Sequence, residues 1–155
     1  GYTMTDNKSA QPKLRLGMIG GGQGAFIGEV HRIAARLDGR FELVAGALSA
    51  DAQTAAASAA EVGINSDRSY ASFEEMALAE AAREDGIEVC AIVTPNHLHY
   101  PAAAALLRAG IHVICDKPLT ATLAQAEELA ELADSSGLLF AVQLTGNVSA
   151  DNLSI

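Results

Sequence analysis

Basic residues are scarce in this chain. Ten lysines and arginines face nineteen aspartates and glutamates across 155 residues, a formal net charge of -9. So acidic a surface argues against nucleic acid and anionic lipid as partners. It says little about a nucleotide cofactor, which local backbone donors hold. Aromatic residues make up only 5%, although half of all residues are hydrophobic and alanine is heavily used. Such a composition suits helices packed closely on a sheet. Only two cysteines occur, Cys90 and Cys115. Both sit in apolar stretches without ligand spacing around them. They read as reduced, buried thiols of a cytoplasmic protein, and no metal site is expected. No apolar run is long enough to span a bilayer. The polar stretch 1–13 lacks the apolar core of a signal peptide. The length fits one domain with a single core.

What is present alternates. Leu14–Gly20 reads as a strand, after which Phe26, Ile27, Val30, Ile33, Ala34 and Leu37 recur on one helical face. Phe41–Ala47 reads as a strand and Asp51–Val62 as an alanine-rich helix. Ser72 with Glu75 forms a capping box that opens a helix running to about Glu84. Glu88–Val93 is almost wholly apolar, as a strand covered on both faces should be. A helix over Ala102–Ala109 and a strand over Ile111–Cys115 follow. Thr122 with Gln125 is a second capping box. It opens a helix that turns Leu123, Ala126, Leu129, Ala130 and Ala133 inward, before a last strand at Leu138–Val142. Gly39, Gly63, Gly86, Gly110 and Gly137 each follow a proposed helix, where a left-handed residue commonly terminates it. Strands and helices in this order predict a parallel, doubly wound α/β sheet. Residues 14–143 read as one folded domain, with 1–13 and 144–155 as tails.

Gly20-Gly21-Gly22-Gln23-Gly24-Ala25 fits G-x-G-x-x-A and lies between the first strand and its helix. That is the place where a Rossmann dinucleotide site needs it. Gly20 permits the tight turn, Gly22 lets a pyrophosphate approach the backbone, and Ala25 lets helix and strand pack closely. Gln23 and Gly24 lie within the same turn, and free amides at the helix start meet the phosphate charge. The expected cofactor is NAD or NADP. An acid for the ribose hydroxyls belongs ~20 residues further on. The chain has Gly46-Ala47-Leu48-Ser49 there, with Asp51 slightly beyond. Ser49 either meets a ribose hydroxyl or 2′-phosphate, or caps the next helix. The missing acid leans toward NADP.

Ligands in such sheets sit beyond the carboxyl ends of the strands. Two polar loops fall there, Thr94-Pro95-Asn96-His97-Leu98-His99 and Asp116-Lys117-Pro118-Leu119-Thr120. Their strands should be neighbours. Taken alone, Lys117 beside Asp116 reads as a solvated ion pair. His97 and His99 lack the further ligands that a metal needs. His31 and His112 read as structural, while Tyr70 and Tyr100 carry no assigned chemistry.

The glycine turn, Thr94-Pro95-Asn96 with His99, Asp116-Lys117-Pro118 and the phrase Gly39-Arg40-Phe41-Glu42-Leu43-Val44-Ala45-Gly46 together resemble the Gfo/Idh/MocA oxidoreductases. That family is named for glucose-fructose oxidoreductase, inositol dehydrogenase and a rhizopine-catabolism protein. The resemblance covers residues 14 to 142. The usual family triplet is Glu-Lys-Pro, so Asp116 shortens its carboxylate by one methylene.

The resemblance implies hydride transfer between a nicotinamide cofactor and a sugar or cyclitol hydroxyl. It implies that Lys117 is the active-site lysine, holding the reacting oxygen and helping to relay its proton, with Pro118 after a cis peptide. It places Thr94, Pro95 and Asn96 on the nicotinamide-ribose side, with His99 nearby. In the family a second domain supplies most substrate contacts. This chain departs from the family after Val142, so the resemblance implies a cofactor half that is inactive alone. Its bare docking surface would favour self-association. The alternative is a non-catalytic nucleotide-binding or interaction module.

Overall fold

The computed structural model describes residues 13–20, 39, 41–93, 99–116 and 122–143. Five strands form one sheet: β1 (Leu14–Ile19), β2 (Phe41–Ala47), β3 (Val89–Ile92), β4 (His112–Asp116) and β5 (Phe140–Gln143). All pairings are parallel, in the order β2-β1-β3-β4-β5. Parallel strands need long crossovers, and the segments between them carry α1 (Ala52–Glu61), α2 (Phe73–Ala81), α3 (His99–Arg108) and α4 (Leu123–Ser135). The predicted first helix, over residues 26–37, lies outside the described residues.

Both faces of the sheet's central strands are covered. Successive residues of a strand point to opposite faces. Leu16, Met18, Val89, Ala91 and Ile114 meet Ala59 of α1 on one side. Ile19, Cys90, Ile92, Val113 and Cys115 meet α2, α3 and α4 on the other, through Met76, Leu106, Leu107 and Leu129 among others. Hence β3 shows no polar alternation. The alanines that dominate the composition, such as Ala102, Ala103 and Ala104, allow α3 to lie close to the sheet. The two cysteines are buried and not joined in a disulfide. Burial pushes the Cys90 thiol well above its ordinary value, which keeps it protonated and unreactive. His112 is structural: its Nδ1 accepts the Leu139 N–H at 3.0 Å and joins β4 to the approach of β5.

Several local expectations need correction. Helix α4 has its full reciprocal capping box at Thr122 and Gln125. Its buried stripe is narrower than predicted: Leu129 and Ala133 are buried, but Leu123 is 76% exposed and Ala130 also faces solvent. This helix packs on α3 and β5 at the edge of the sheet, so one turn's spacing suffices to reach the core. At α2 the Ser72 hydroxyl accepts the Glu75 N–H at 3.1 Å, which is one half of the predicted box. The same helix stops at Ala81 rather than Glu84. Gly86 does not take the left-handed conformation adopted by Gly39, Gly63, Gly110 and Gly137. Its requirement is space, because a Cβ there would sit 1.9 Å from the Glu80 carbonyl oxygen. Helix α3 begins at His99, three residues before the predicted Ala102.

One feature of the topology had no counterpart in the periodicity. Ser69 forms a single parallel bridge to Gly46 on the outer edge of β2, and the Tyr70 N–H donates to the Gly46 carbonyl at 2.8 Å. This one-residue strand stands where a doubly wound dinucleotide fold has its third strand.

Candidate functional site

The chain leaves β1 toward β2 on one side and later returns to build β3 on the other. The strand order therefore reverses between β1 and β3, and the helices diverge there. That crevice, beyond the carboxyl ends, is the ligand position in an open α/β sheet.

Three strand exits are tied together at the crevice. The Gly20 N–H donates to the Ala47 carbonyl at 2.9 Å, and the Val93 N–H donates to the Ile19 carbonyl at 2.9 Å. Gly20 has φ +88°, a conformation that L side chains rarely adopt. The chain is thus bent at Gly20, directly after β1. Gly22, Gln23, Gly24 and Ala25 lie outside the described residues. So do Thr94, Pro95 and Asn96, the residues Lys117 and Pro118, and the side chain of Asp116.

Their anchoring points are described. β3 and β4 are neighbours as predicted, with Ile92 opposite Cys115. The two polar segments thus follow adjacent strands at the same end of the sheet. Asp116 ends β4 and pairs with Gln143 of β5. His99 was expected in a loop, but it is the first residue of α3 and only 1% exposed. It lies within the folded core, directly after the polar segment in sequence.

The β2 exit is fully described. Leu48 turns into the core and Ser49 is half-buried. Ser49 does not cap α1. Its Oγ accepts the Asp51 N–H at 3.1 Å, and Asp51 is the N-cap. Asp51 Oδ2 accepts both the Thr54 N–H at 2.8 Å and the Thr54 hydroxyl at 2.7 Å. The hydroxyl bond foremost, and the amide bond with it, hold the Asp51 carboxyl below its ordinary range.

A buried charged cluster supports this exit from below, and the sequence reading missed it. Glu80 on α2 is 1% exposed. Its carboxylate accepts Arg68 Nε at 3.1 Å and Arg68 Nη2, the Tyr70 hydroxyl at 2.6 Å and the Ile87 N–H at 3.1 Å. Arg68 Nη2 also donates to the Asp85 carbonyl at 3.0 Å. The cluster clamps residues 68–70, and with them the bridge to Gly46. Its signal was available: Glu80 follows Met76 by four residues, so a carboxylate shares the buried face of α2. Among the described residues no group of three or more His, Cys, Asp or Glu side chains is placed to hold a metal.

A parallel, doubly wound sheet with a glycine turn at its switch point defines a dinucleotide-binding domain. The sequence pattern of the Gfo/Idh/MocA oxidoreductases, described as an oxidoreductase family with an NAD-binding Rossmann fold, matches residues 14–144. The chain belongs to this family, and the part that matches is its NAD(P)-binding Rossmann domain. The uncharacterized oxidoreductase YfiI of Bacillus subtilis is 42% identical over 130 residues, which are 83% of this chain and 33% of that protein. An oxidoreductase structure from Sinorhizobium meliloti superposes with a TM-score of 0.76 at 59% identity, covering 86% of this chain and 37% of the other. An inositol dehydrogenase homolog from Azotobacter vinelandii, complexed with NADH and myo-inositol, gives a TM-score of 0.78 at 38% identity, covering 85% and 35%. The chain thus spans about a third of the length of these relatives.

Proposed function

We propose that the chain supplies the cofactor half of an oxidoreductase that moves hydride between a nicotinamide dinucleotide and a sugar or cyclitol hydroxyl. The observation that carries this reading is the left-handed Gly20 at the switch point, hydrogen-bonded to the exit of β2. The inositol dehydrogenase homolog from Azotobacter supports the substrate class. Gly22 admits the pyrophosphate against bare backbone, and the amides of residues 22–25 meet its charge. Bound nicotinamide supplies the site that accepts or returns hydride. Thr94, Pro95 and Asn96 line its ribose side, and buried His99 holds that loop in place. Lys117 is the catalytic residue: its ammonium holds the substrate oxygen and relays the proton lost or gained there. Asp116 and Pro118 direct that side chain into the crevice.

The remaining two-thirds of the relatives' length provides substrate orientation, so this chain alone binds cofactor without efficient turnover. Its partners are then the dinucleotide and, through the rest of the family architecture, a polyol. Nucleic acid and membrane surfaces are disfavoured by the charge of -9. No helix among the described residues is long and apolar enough to cross a membrane. Two reduced thiols fit a cytoplasmic location. Exposed Leu123 and Leu78 favour weak self-association at high concentration.

Calorimetric titration with NADH and NADPH tests the cofactor assignment. Wild type binds at least one of the two, and Gly22→Val, whose branched side chain fills the pyrophosphate position, binds neither. Equal affinity in the two proteins would overturn the assignment.

A further inference from the structure

The charged cluster around Glu80 leaves one group unanswered. The Arg68 side chain is only 8% exposed, and a guanidinium carries five N–H donors. Nε donates to Glu80, and Nη2 donates to Glu80 and to the Asp85 carbonyl. Among the described residues Nη1 makes no hydrogen bond. It lies 3.7 Å from Asp85 Oδ2, beyond hydrogen-bonding distance. That carboxylate is itself held by Arg83 at 2.8 and 3.3 Å. Donors this deeply buried call for a partner.

Arg68 lines a cavity of about 300 Å³ together with Arg15, Glu42, Val44, Asn65 and Asp85. Arg15 and Glu42 lie at the amino ends of β1 and β2, so the cavity is at the end of the sheet opposite the crevice. Its volume is at the lower end of small-molecule sites. It exists because Ser69 bridges β2 only at Gly46, and no described strand covers the outer edge of β2 before that point. Arg15 is fixed through Nε by the Gly86 carbonyl at 2.8 Å. Its Nη1 is 3.8 Å from Glu88, and Nη2 has no partner among the described residues. The consecutive carbonyls of Asp85 and Gly86 thus hold two guanidiniums that line one cavity. Asn65 adds an exposed side-chain amide that makes no cap bond to the short 3-10 turn Ser66–Arg68.

We propose that this cavity binds a small zwitterion of the α-amino acid type, its carboxylate on Arg15 and Arg68 and its ammonium on Glu42. Arg68 is answered by Glu80 and Arg15 by Glu88, so the cavity has no surplus positive charge for a simple anion. Glu42 stands opposite Arg15 in the strand register, is exposed and joins no ion pair among the described residues. A ligand of both signs meets N–H donors at one end and a carboxylate at the other. The site shares no residue with the cofactor crevice and does not depend on the cofactor reading.

Nuclear magnetic resonance titration of this 155-residue chain, followed at the backbone amides, tests the proposal with L-alanine, acetate and ethylamine as probes. L-Alanine should give saturable shifts at Val44, Gly63, Asn65 and Arg68. Acetate and ethylamine should each bind about tenfold more weakly, because each lacks one charge-assisted contact. Glu42→Gln, at an exposed position, should weaken L-alanine several-fold and leave acetate unweakened. Arg15→Gln should weaken both. A natively folded spectrum without saturable shifts around the cavity means that water alone answers Arg68, and overturns the site. Acetate binding as tightly as L-alanine, or L-alanine indifferent to Glu42→Gln, overturns the zwitterion.

Discussion

Glu80 is the residue whose chemistry depends most on its surroundings. Burial alone would push its carboxyl up, but hydrogen bonds from Arg68 and Tyr70, the Arg68 charge and the Ile87 N–H outweigh that and hold it below the usual glutamate range. A depressed folded value means that the carboxylate stabilises the fold above its unfolded value of 4.5 and loses that contribution as pH falls through the folded value. Tyr70 works in the opposite sense. Burial, followed by its bond to Glu80, pushes the phenol up to about 12. Its contribution is complete below 10 and is lost as pH rises from there to about 12. Melting temperature followed by circular dichroism should therefore fall below pH 4.5 and again between pH 10 and 12. Tyr70→Phe should flatten the alkaline limb and cost about 1.5–3 kcal/mol, as for a hydrogen bond to a charged group. Glu80→Gln should cost about 3 kcal/mol, because it leaves the buried Arg68 with only the exposed Asp85 carboxylate, 3.7 Å away, as counter-charge. An unchanged melting temperature in either variant would contradict the clamp.

At the scale of elements, caps and close contacts decide where helices start and stop. The reciprocal bonds of Thr122 and Gln125, each 3.1 Å, open α4. Thr122→Ala should cost about 1 kcal/mol in urea denaturation. Gly86→Ala should cost about 1–3 kcal/mol, because the new methyl meets the Glu80 carbonyl and not a movable side chain. A neutral Gly86→Ala would show that the turn after α2 relaxes easily. These elements also show what periodicity conveys. The apolar run of β3 and the box at Thr122 were legible because local chemistry alone specifies them. The outward face of Leu123 was not, since only the position of α4 at the sheet edge decides which of its apolar residues find neighbours. The single bridge of Ser69 to Gly46 lies in a segment too short for any pattern, and it forms because Arg68 and Tyr70 are clamped on either side.

For the whole molecule, the span of about a third of the relatives' length sets the expectation for activity. Hydride transfer requires the carbon to be held against the nicotinamide, and loss of such positioning removes several orders of magnitude in rate. With a panel of sugars and inositols, the absorbance of reduced nicotinamide should stay flat for this chain while cofactor titration shows binding. Robust turnover by the 155 residues would refute the cofactor-half reading. In a full-length relative carrying the same Asp-Lys-Pro triplet, the Lys117→Met equivalent should lose at least about a hundredfold in kcat, as removal of a proton-transferring group does. Full activity there would remove Lys117 from the mechanism.

By itself the sequence determined the alternation of strands and helices, the parallel sheet and the family. Each of these rests on short-range patterns: side-chain period, capping pairs, and glycine where a backbone must bend or be approached. Tertiary structure decided what depends on residues far apart in the chain. It drew Arg68, Tyr70, Glu80 and Ile87 around one carboxylate, moved His99 from a loop into a buried helix start, and made Gly86 a contact rather than a left-handed cap. It also fixed Asp51 at the β2 exit through the cap of α1. No strand pattern shows that placement, because a cap is set by where the helix begins in space, and the charge then stands wherever the fold has put that beginning.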